Sequence, residues 1–201
     1  MLIKEIISKS AKDFQDIVWP RLKDKIGGGK IIPVETVTDN IFAKEIDTLA
    51  GIDAWHIYKN GMGMRGIASR VQWRINNGKI APGFGKYGYQ TFTIRHKLAN
   101  GGNTEYQKRM YAINSDVDRF LFPDLTIQAY LENPEGEFLS AAVIQTRELF
   151  EIIMTHPQWN DYKIVAGGNE MLVIKWSDIK QVSKSIIYLS DFTMDLFLEE
   201  S

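Results

Sequence analysis

The sequence predicts an α+β fold with an α/β-like core: one domain, residues 1–201, in which helices flank a central mixed β-sheet. Apolar residues recur at helical spacing near the N-terminus, whereas most later segments alternate polar and apolar residues as strands do. The length favours one domain, because 201 residues with 44% apolar content are enough for one core and few for two.

The first predicted element is an amphipathic helix over Ser10–Ile26. Ser10 is its expected N-cap, and Asp13 lies in the first turn, where the helix dipole favours an acid. The glycines of residues 27–29 end it. Its apolar face consists of Phe14, Ile17, Val18, Leu22 and Ile26.

Strand signals dominate from residue 51 onward. A turn signal at Lys59-Asn60-Gly61 joins the first two strands into a predicted hairpin. The predicted strands are residues 52–58, 64–75, 90–98, 125–131, 138–145, 162–166, 170–176 and 184–189. Residues 76–90 predict a long loop, residues 104–113 fit either a strand or a short helix, and Thr146 is the expected N-cap of a further helix.

Several classes of protein are disfavoured by composition. The chain has no cysteine, which excludes disulfides, thiol catalysis and thiolate metal sites. No apolar run approaches the length of a membrane span, and the N-terminal residues lack the pattern of a signal peptide. The three histidines are far apart in sequence, which disfavours a zinc site. We therefore expect a cytoplasmic protein with no membrane partner.

Charge is nearly balanced overall but not along the chain. The formal net charge is −1, yet residues 59–109 carry ten basic residues and one acid, and residues 110–201 carry six and fifteen. A basic segment with interleaved aromatic residues predicts binding to nucleic acid. The expected contact residues are Arg65, Lys79, Lys86, Arg95, Lys97, Lys108 and Arg109. Alternatively, these cations pair with the acidic C-terminal third after folding.

The second strand of the predicted hairpin carries polar residues on one face. Arg70, Gln72 and Arg74 are spaced by two and therefore project to the same side. Three successive polar positions on an otherwise apolar strand are unexpected in a core. The hairpin brings this face near Asp53, at the start of the first strand.

Oxygen-bearing side chains near this face indicate a divalent-cation site. Mg²⁺ or Mn²⁺ prefers oxygen ligands, which Asp53, Asp47, Glu45 and the amide oxygen of Gln72 supply. Such a metal polarises a phosphodiester and activates water, while nearby arginines hold the phosphate. Alternatively, Asp53 is a solvent-facing hairpin residue or a structural partner of Arg70.

These residues resemble the PD-(D/E)XK nuclease superfamily, in which a hairpin carries an Asp and a (Glu/Gln)-x-Lys pair that bind Mg²⁺. Gly51-Ile52-Asp53 is similar to the element with the Asp, and Gln72-Trp73-Arg74 to the pair, with Arg in place of Lys. The resemblance implies a restriction-endonuclease-like core, DNA as substrate, and catalytic roles for Asp53, Gln72, Arg74 and Arg70. In a second register, Arg70-Val71-Gln72 occupies the position of the pair, and both family residues are lost.

The absence of a lysine at the position of Arg74 leaves three hypotheses open. Because arginine stays protonated, Arg74 cannot act as a base; either Lys97 or Lys86 substitutes, or the protein binds nucleic acid without cutting it. The chain is thus predicted to be a metal-dependent DNA nuclease, an inactive nucleic-acid-binding protein on the same scaffold, or a protein-interaction domain. The degenerate motif suits a protein of a mobile element, and the choice between DNA and RNA and the formation of a homodimer stay open.

Overall fold

The structure is a computed structural model that describes residues 3–34, 50–81, 84–115 and 121–190. The strands are β1 (Lys30–Pro33), β2 (Ala54–Ile57), β3 (Met64–Trp73), β4 (Ile75–Asn76), β5 (Lys79–Ile80), β6 (Thr91–Lys97), β7 (Leu125–Leu131), β8 (Phe138–Gln145), β9 (Asp161–Ile164), β10 (Glu170–Lys175) and β11 (Ile187–Ser190). The helices are α1 (Ile3–Asp13), α2 (Trp19–Leu22), α3 (Phe84–Tyr87), α4 (Glu105–Asn114), α5 (Thr146–Thr155) and α6 (Trp176–Lys180).

A six-stranded mixed sheet forms the middle of the fold, in the order β1-β2-β3-β7-β8-β11. β3 and β7 run parallel, and the other neighbouring pairs run antiparallel. A second, antiparallel sheet has the order β6-β10-β9, and β4 pairs with β5. The predicted α+β class and the central mixed sheet flanked by helices are confirmed.

The N-terminal helical segment is longer than its pattern predicts. α1 begins at Ile3, so Ser10 lies inside the helix and the prediction that Ser10 is the N-cap is wrong. Its hydroxyl instead reaches the carbonyl of Val71 at 3.5 Å. A π-helical turn (Phe14–Val18), α2 and a 3₁₀ turn (Lys23–Ile26) continue the segment, and Gly27 ends it with φ of 98°.

The two faces of the central sheet are covered by different elements. One face packs against Phe14, Val18 and Leu22 of the N-terminal helical segment, through Val71 of β3 and Ile127 of β7. The opposite face packs against α5 and the second sheet, in a cluster that includes Tyr130, Phe92, Leu149, Phe150, Leu172 and Trp176. Side chains at even positions of β3 and β7 therefore lie between the two sheets.

Asp13 ties the helical segment to the central sheet. It is 1% exposed, and its Oδ2 accepts a hydrogen bond from Trp73 Nε1 at 2.7 Å. Its Oδ1 accepts from the backbone N–H of Glu135, in the turn between β7 and β8, at 3.0 Å. Burial raises the pKa of the Asp13 carboxyl, and these hydrogen bonds oppose that change.

His56 joins β2 to the glycine turn that precedes β1. The imidazole is 0% exposed; its Nδ1 accepts from Arg65 Nε at 3.1 Å, so its Nε2 carries the proton that is donated to Gly28 O at 2.6 Å. Burial lowers the pKa of His56 below its ordinary value. The hydrogen bond to Gly28 raises this pKa and the charge of Arg65 lowers it, and the net change is a lowering.

Acidification should therefore destabilise the protein through His56. The folded protein keeps His56 neutral, whereas the unfolded chain takes up a proton below about pH 6.5, so the free energy of unfolding falls as the pH drops from there towards the lower, folded pKa. Thermal unfolding of the wild type and His56→Gln between pH 8 and pH 5 measures this. The pH dependence should be weaker in His56→Gln than in the wild type; equal slopes for the two proteins would contradict the assignment.

Candidate functional site

β2 and β3 of the central sheet separate at Asp53. Pairing of β2 with β3 ends where Ala54 faces Ile67, while β3 continues to residue 73. Asp53 directly precedes β2 and lies next to this last pair. Its N–H donates to Ile67 O at 2.8 Å, its carbonyl accepts from Val34 N at 2.8 Å, and its Oδ2 accepts from Ser69 N at 2.5 Å. Two backbone hydrogen bonds and one to the carboxylate thus hold Asp53 at the point of separation.

A pocket of about 510 Å³ opens beside Asp53. Its walls come from the separating strands, from β6, from the N-terminal turns of α4 and from β7. The polar residues among those that line it are Ser10, Asp53, Ser69, Arg70, Thr93, Arg95, Asn103, Thr104, Glu105, Lys108, Arg109, Thr126 and Gln128. Four basic side chains against two acidic ones give the lining a formal charge of 4 − 2 = +2.

α4 supplies three charged residues to this pocket because of how the helix begins. Thr104 and Gln107 form a capping box that fixes the first turn. The residues at helix positions i, i+3 and i+4 then share one face, which places Glu105, Lys108 and Arg109 together towards the pocket. The same capping signal decides between the strand and the helix that the sequence allowed for residues 104–113.

Glu105 lies between two arginine side chains. Its Oε2 accepts from Arg70 Nη2 at 3.0 Å, and its Oε1 is 3.8 Å from Arg109 Nη2. Arg70 also donates to the carbonyl of Thr93 at 2.7 Å. The carboxylate therefore fixes both guanidinium groups at the pocket wall.

Arg109 is the most deeply buried cation of the site, at 3% exposure. It donates to the carbonyls of Ala50 and Gly51 at 3.0 and 3.1 Å, next to Asp53. Burial lowers the pKa of Arg109, whereas the negative charges of Glu105 and Asp53 raise it. An arginine keeps its proton under such opposed influences, so a full positive charge lies in the pocket wall.

Two buried donors of this site lack a partner among the described residues: Arg109 Nε and Gln128 Nε2. Gln128 is 2% exposed and lies opposite Arg70 in the parallel pairing of β3 and β7. Its Oε1 accepts from the hydroxyl of Thr93 at 3.1 Å, which fixes the amide. A buried donor without an acceptor costs about 1–3 kcal/mol. Donors and positive charge together suit an anionic ligand that is rich in acceptors, such as a phosphate.

The expected catalytic residues divide between this pocket and its surroundings. Asp53 and Arg70 line it together, as their strand positions predict. Gln72 lies two residues further along β3, where its Nε2 donates to Thr93 Oγ1 at 2.9 Å, and it lines a second, adjacent cavity. Arg74 forms an ion pair with Glu132 at the end of β7. The two other expected metal ligands, Glu45 and Asp47, are outside the described residues.

The expected nucleic-acid contacts are likewise divided. Arg95, Lys108 and Arg109 line the pocket. Arg65 is outside the pocket lining and donates to His56 and to the carbonyl of Ile26. Lys86 pairs with Asp161. The remaining two, Lys79 and Lys97, are exposed. Arg74 and Lys86 both pair with acids of the C-terminal third. The alternative that the basic residues pair with this acidic region after folding therefore applies to part of the basic segment.

Among the pocket residues that the sequence did not single out as site residues are Thr93, Glu105 and Gln128. Two of them carried a usable signal. Glu105 is the one acid of the basic segment, and Gln128 interrupts a strand whose seven residues are all buried. The described residues contain no group of three or more His, Asp or Glu that could hold a metal ion. Mg²⁺ does not require one, since one or two carboxylates with water and substrate oxygens suffice.

Among the helices of the described ranges, none has the length and apolar content needed to cross a bilayer. Comparisons with protein-family models, curated proteins and solved structures find no match. The residues of the pocket therefore carry the functional interpretation.

Proposed function

We propose that this protein is a metal-dependent nuclease that hydrolyses phosphodiester bonds of DNA, with Asp53 at the reaction centre. The observation that supports it best is the shared pocket of Asp53, Arg70, Lys108 and Arg109 at the point where β2 and β3 separate. Metal-dependent phosphodiester hydrolysis uses a carboxylate that binds the metal and fixed positive charges that hold the phosphate. This pocket combines both.

Each side chain has a role in this proposal. Asp53 ligates Mg²⁺ or Mn²⁺, and this metal polarises the phosphate and lowers the pKa of water when it is bound. Arg109 and Arg70, held by Glu105, bind the phosphate oxygens, and Gln128 Nε2 donates to one of them. Lys108 is the one lysine of the described residues in the pocket. We assign to it the positioning of the attacking water, which the family's (Glu/Gln)-x-Lys pair performs.

The topology supports a restriction-endonuclease-like core. A helical segment precedes the hairpin, and the hairpin lies in a mixed sheet with helices on both faces. The cysteine-free chain suits the cytoplasm, where we place the activity.

A nucleic-acid-binding protein without nuclease activity is the second candidate. It is favoured by the engagement of the other oxygen ligands: both oxygens of Glu105 face arginines, and Gln72 is hydrogen-bonded to Thr93 instead of facing Asp53. In that case the same cations bind the phosphate backbone, and Asp53 only organises the strands.

Cleavage by an Asp53→Asn variant tests the proposal. Asparagine keeps an oxygen that accepts from Ser69 N but removes the charge that binds the metal. The matched control is Asp124→Asn, since Asp124 Oδ2 accepts from Gly66 N of the same strand at 2.7 Å, away from the pocket. Plasmid and single-stranded DNA are incubated with Mg²⁺ or Mn²⁺, with EDTA as the metal-free control.

We expect metal-dependent nicking that falls by about 100-fold or more in Asp53→Asn and persists in Asp124→Asn. Salt-sensitive binding of the same DNA without cleavage would establish the second candidate. Absence of both binding and cleavage would refute both and leave the protein-interaction domain. Cleavage that survives in Asp53→Asn would show that the catalytic centre lies elsewhere.

A further inference from the structure

A second cavity, of about 350 Å³, lies beside the charged pocket between the two sheets. β3, β6, β7, β9, β10 and residues near α3 surround it. Val71 and Thr93 line both cavities, so the two are neighbours. Arg70 faces the first and Gln72 the second; two residues along a strand span about 6.8 Å. The two cavities therefore share a wall, and this spacing is short enough for a phosphate and an adjoining group of one ligand to occupy one cavity each.

Two amide oxygens are available in this second cavity. Asn76 Oδ1 is buried and has no hydrogen-bond partner in the described part of the chain. Gln72 uses its Nε2 to bind Thr93, which leaves its Oε1 as the acceptor of that amide. Both side chains line the cavity. Their oxygens suit a ligand that donates hydrogen bonds, in contrast to the donor-rich wall around Arg109.

The remaining walls are aromatic and apolar, with one cation. Trp73, Tyr87 and Tyr130 line the cavity together with Val165 and Met171. The hydroxyl of Tyr130 is engaged by Thr91. Lys163 Nζ lies 5.9 Å from the centroid of the Tyr87 ring. A flat ring can stack on such an aromatic side chain while a few polar groups fix its orientation.

We propose that this cavity binds one unstacked nucleobase of the strand whose phosphate lies in the charged pocket, a proposal that rests on the proposed function. The base lies against Tyr87, and its exocyclic amino group donates to Asn76 Oδ1 and Gln72 Oε1. Lys163 donates to a carbonyl or ring nitrogen of the same base. Adenine, cytosine and guanine carry such an amino group and thymine does not, so the site prefers these three to thymine.

A base is the occupant that the surroundings favour. The charged pocket with its formal charge of +2 attracts a polyanion to this position. An unstacked base offers a flat face to an aromatic ring and hydrogen-bonding atoms along its edge, which matches apolar walls with a few amides. Single-stranded substrate meets these demands without any base pair having to open.

Binding of short single-stranded oligonucleotides in EDTA, which prevents cleavage, tests the proposal. The probes are dA, dC and dT oligomers and an abasic oligomer of the same length, each measured by fluorescence anisotropy. We expect the dA and dC oligomers to bind about tenfold more tightly than the abasic one, because one stacked base contributes about that factor. The dT oligomer should bind with intermediate affinity.

Variants locate the effect in the cavity. Asn76→Leu should weaken the preference for dA and dC over dT, because it removes one of the two acceptors of the amino group. Tyr87→Leu should bring all oligomers close to the abasic level. Tyr87→Phe keeps the ring and should behave as the wild type. The matched control is Tyr111→Leu, which removes a tyrosine that is 65% exposed. Circular dichroism verifies that each variant is folded.

The outcomes separate this proposal from the proposed function. Equal affinity for base-containing and abasic oligomers would overturn the base site and leave phosphate binding intact. Binding to none of the probes would overturn both. A preference for dA and dC that is undiminished in a folded Asn76→Leu would also overturn the base site.

Discussion

Replacing Gly29 by alanine is expected to destabilise the protein by about 3 kcal/mol or more. Gly29 has φ of 107°, a conformation that costs other residues energy. A Cβ at this position would also collide with the carbonyl of Ile57 and lie 2.9 Å from Lys59 N. Both neighbours are backbone atoms of the β2 end, so no side-chain rotation relieves the clash.

Thermal unfolding of Gly29→Ala against Gly61→Ala isolates the steric contribution. Gly61 also has a positive φ, 68°, but an added Cβ there meets nothing within 4 Å. Gly61→Ala should therefore lose only about 1–2 kcal/mol, and its melting temperature should stay several degrees above that of Gly29→Ala. Equal losses in the two variants would show that the close approach of Gly29 to β2 is not a constraint.

Replacing Arg109 by methionine is expected to impair both stability and nucleic-acid binding. Methionine replaces the aliphatic part of the arginine side chain but leaves the carbonyls of Ala50 and Gly51 without their donors and Glu105 without one of its cations. Each buried carbonyl that is left without its donor costs about 1–3 kcal/mol. The pocket also loses the most buried charge that we assign to the phosphate.

The matched control for this variant is Arg65→Met. Arg65 likewise donates to a backbone carbonyl, that of Ile26 at 2.8 Å, but it lies outside the pocket. Denaturant unfolding should show destabilisation in both variants, whereas affinity for DNA and its dependence on salt should fall only in Arg109→Met. An unchanged salt dependence in Arg109→Met would show that its charge does not contact phosphate.

Local sequence patterns were sufficient to predict the elements that show a continuous apolar run or a clear turn signal. β7 and β8 have the bounds that their apolar runs predict, Leu125–Leu131 and Phe138–Gln145. The hairpin of β2 and β3 follows from its turn signal. β1 (Lys30–Pro33) was not predicted, because its four residues show no alternation and become a strand only by pairing with β2. Pairing between distant segments is decided by tertiary contacts.

The candidate site was predictable to the extent that it lies on one hairpin. Asp53 and Arg70 were expected on a common face and do share a pocket. Gln72 follows the same alternation, but the presence of Thr93 on the facing sheet directs it to another cavity. Glu105 and Gln128 come from segments 35 and 58 residues beyond Arg70, and no local pattern states which distant residues will fill the space between two layers.

The parallel pairing of β3 with β7 determines when the site is formed during synthesis. About 50 residues separate the two strands, and they include β6 and α4, which bring Thr93, Glu105 and Arg109 to Asp53. Closing so long a segment costs chain entropy before the strand contacts compensate it, which makes this a slow step. A nascent chain that has not yet produced β7 therefore lacks the assembled pocket, so that on the proposed function DNA near the ribosome meets a nuclease only after most of the chain has been translated.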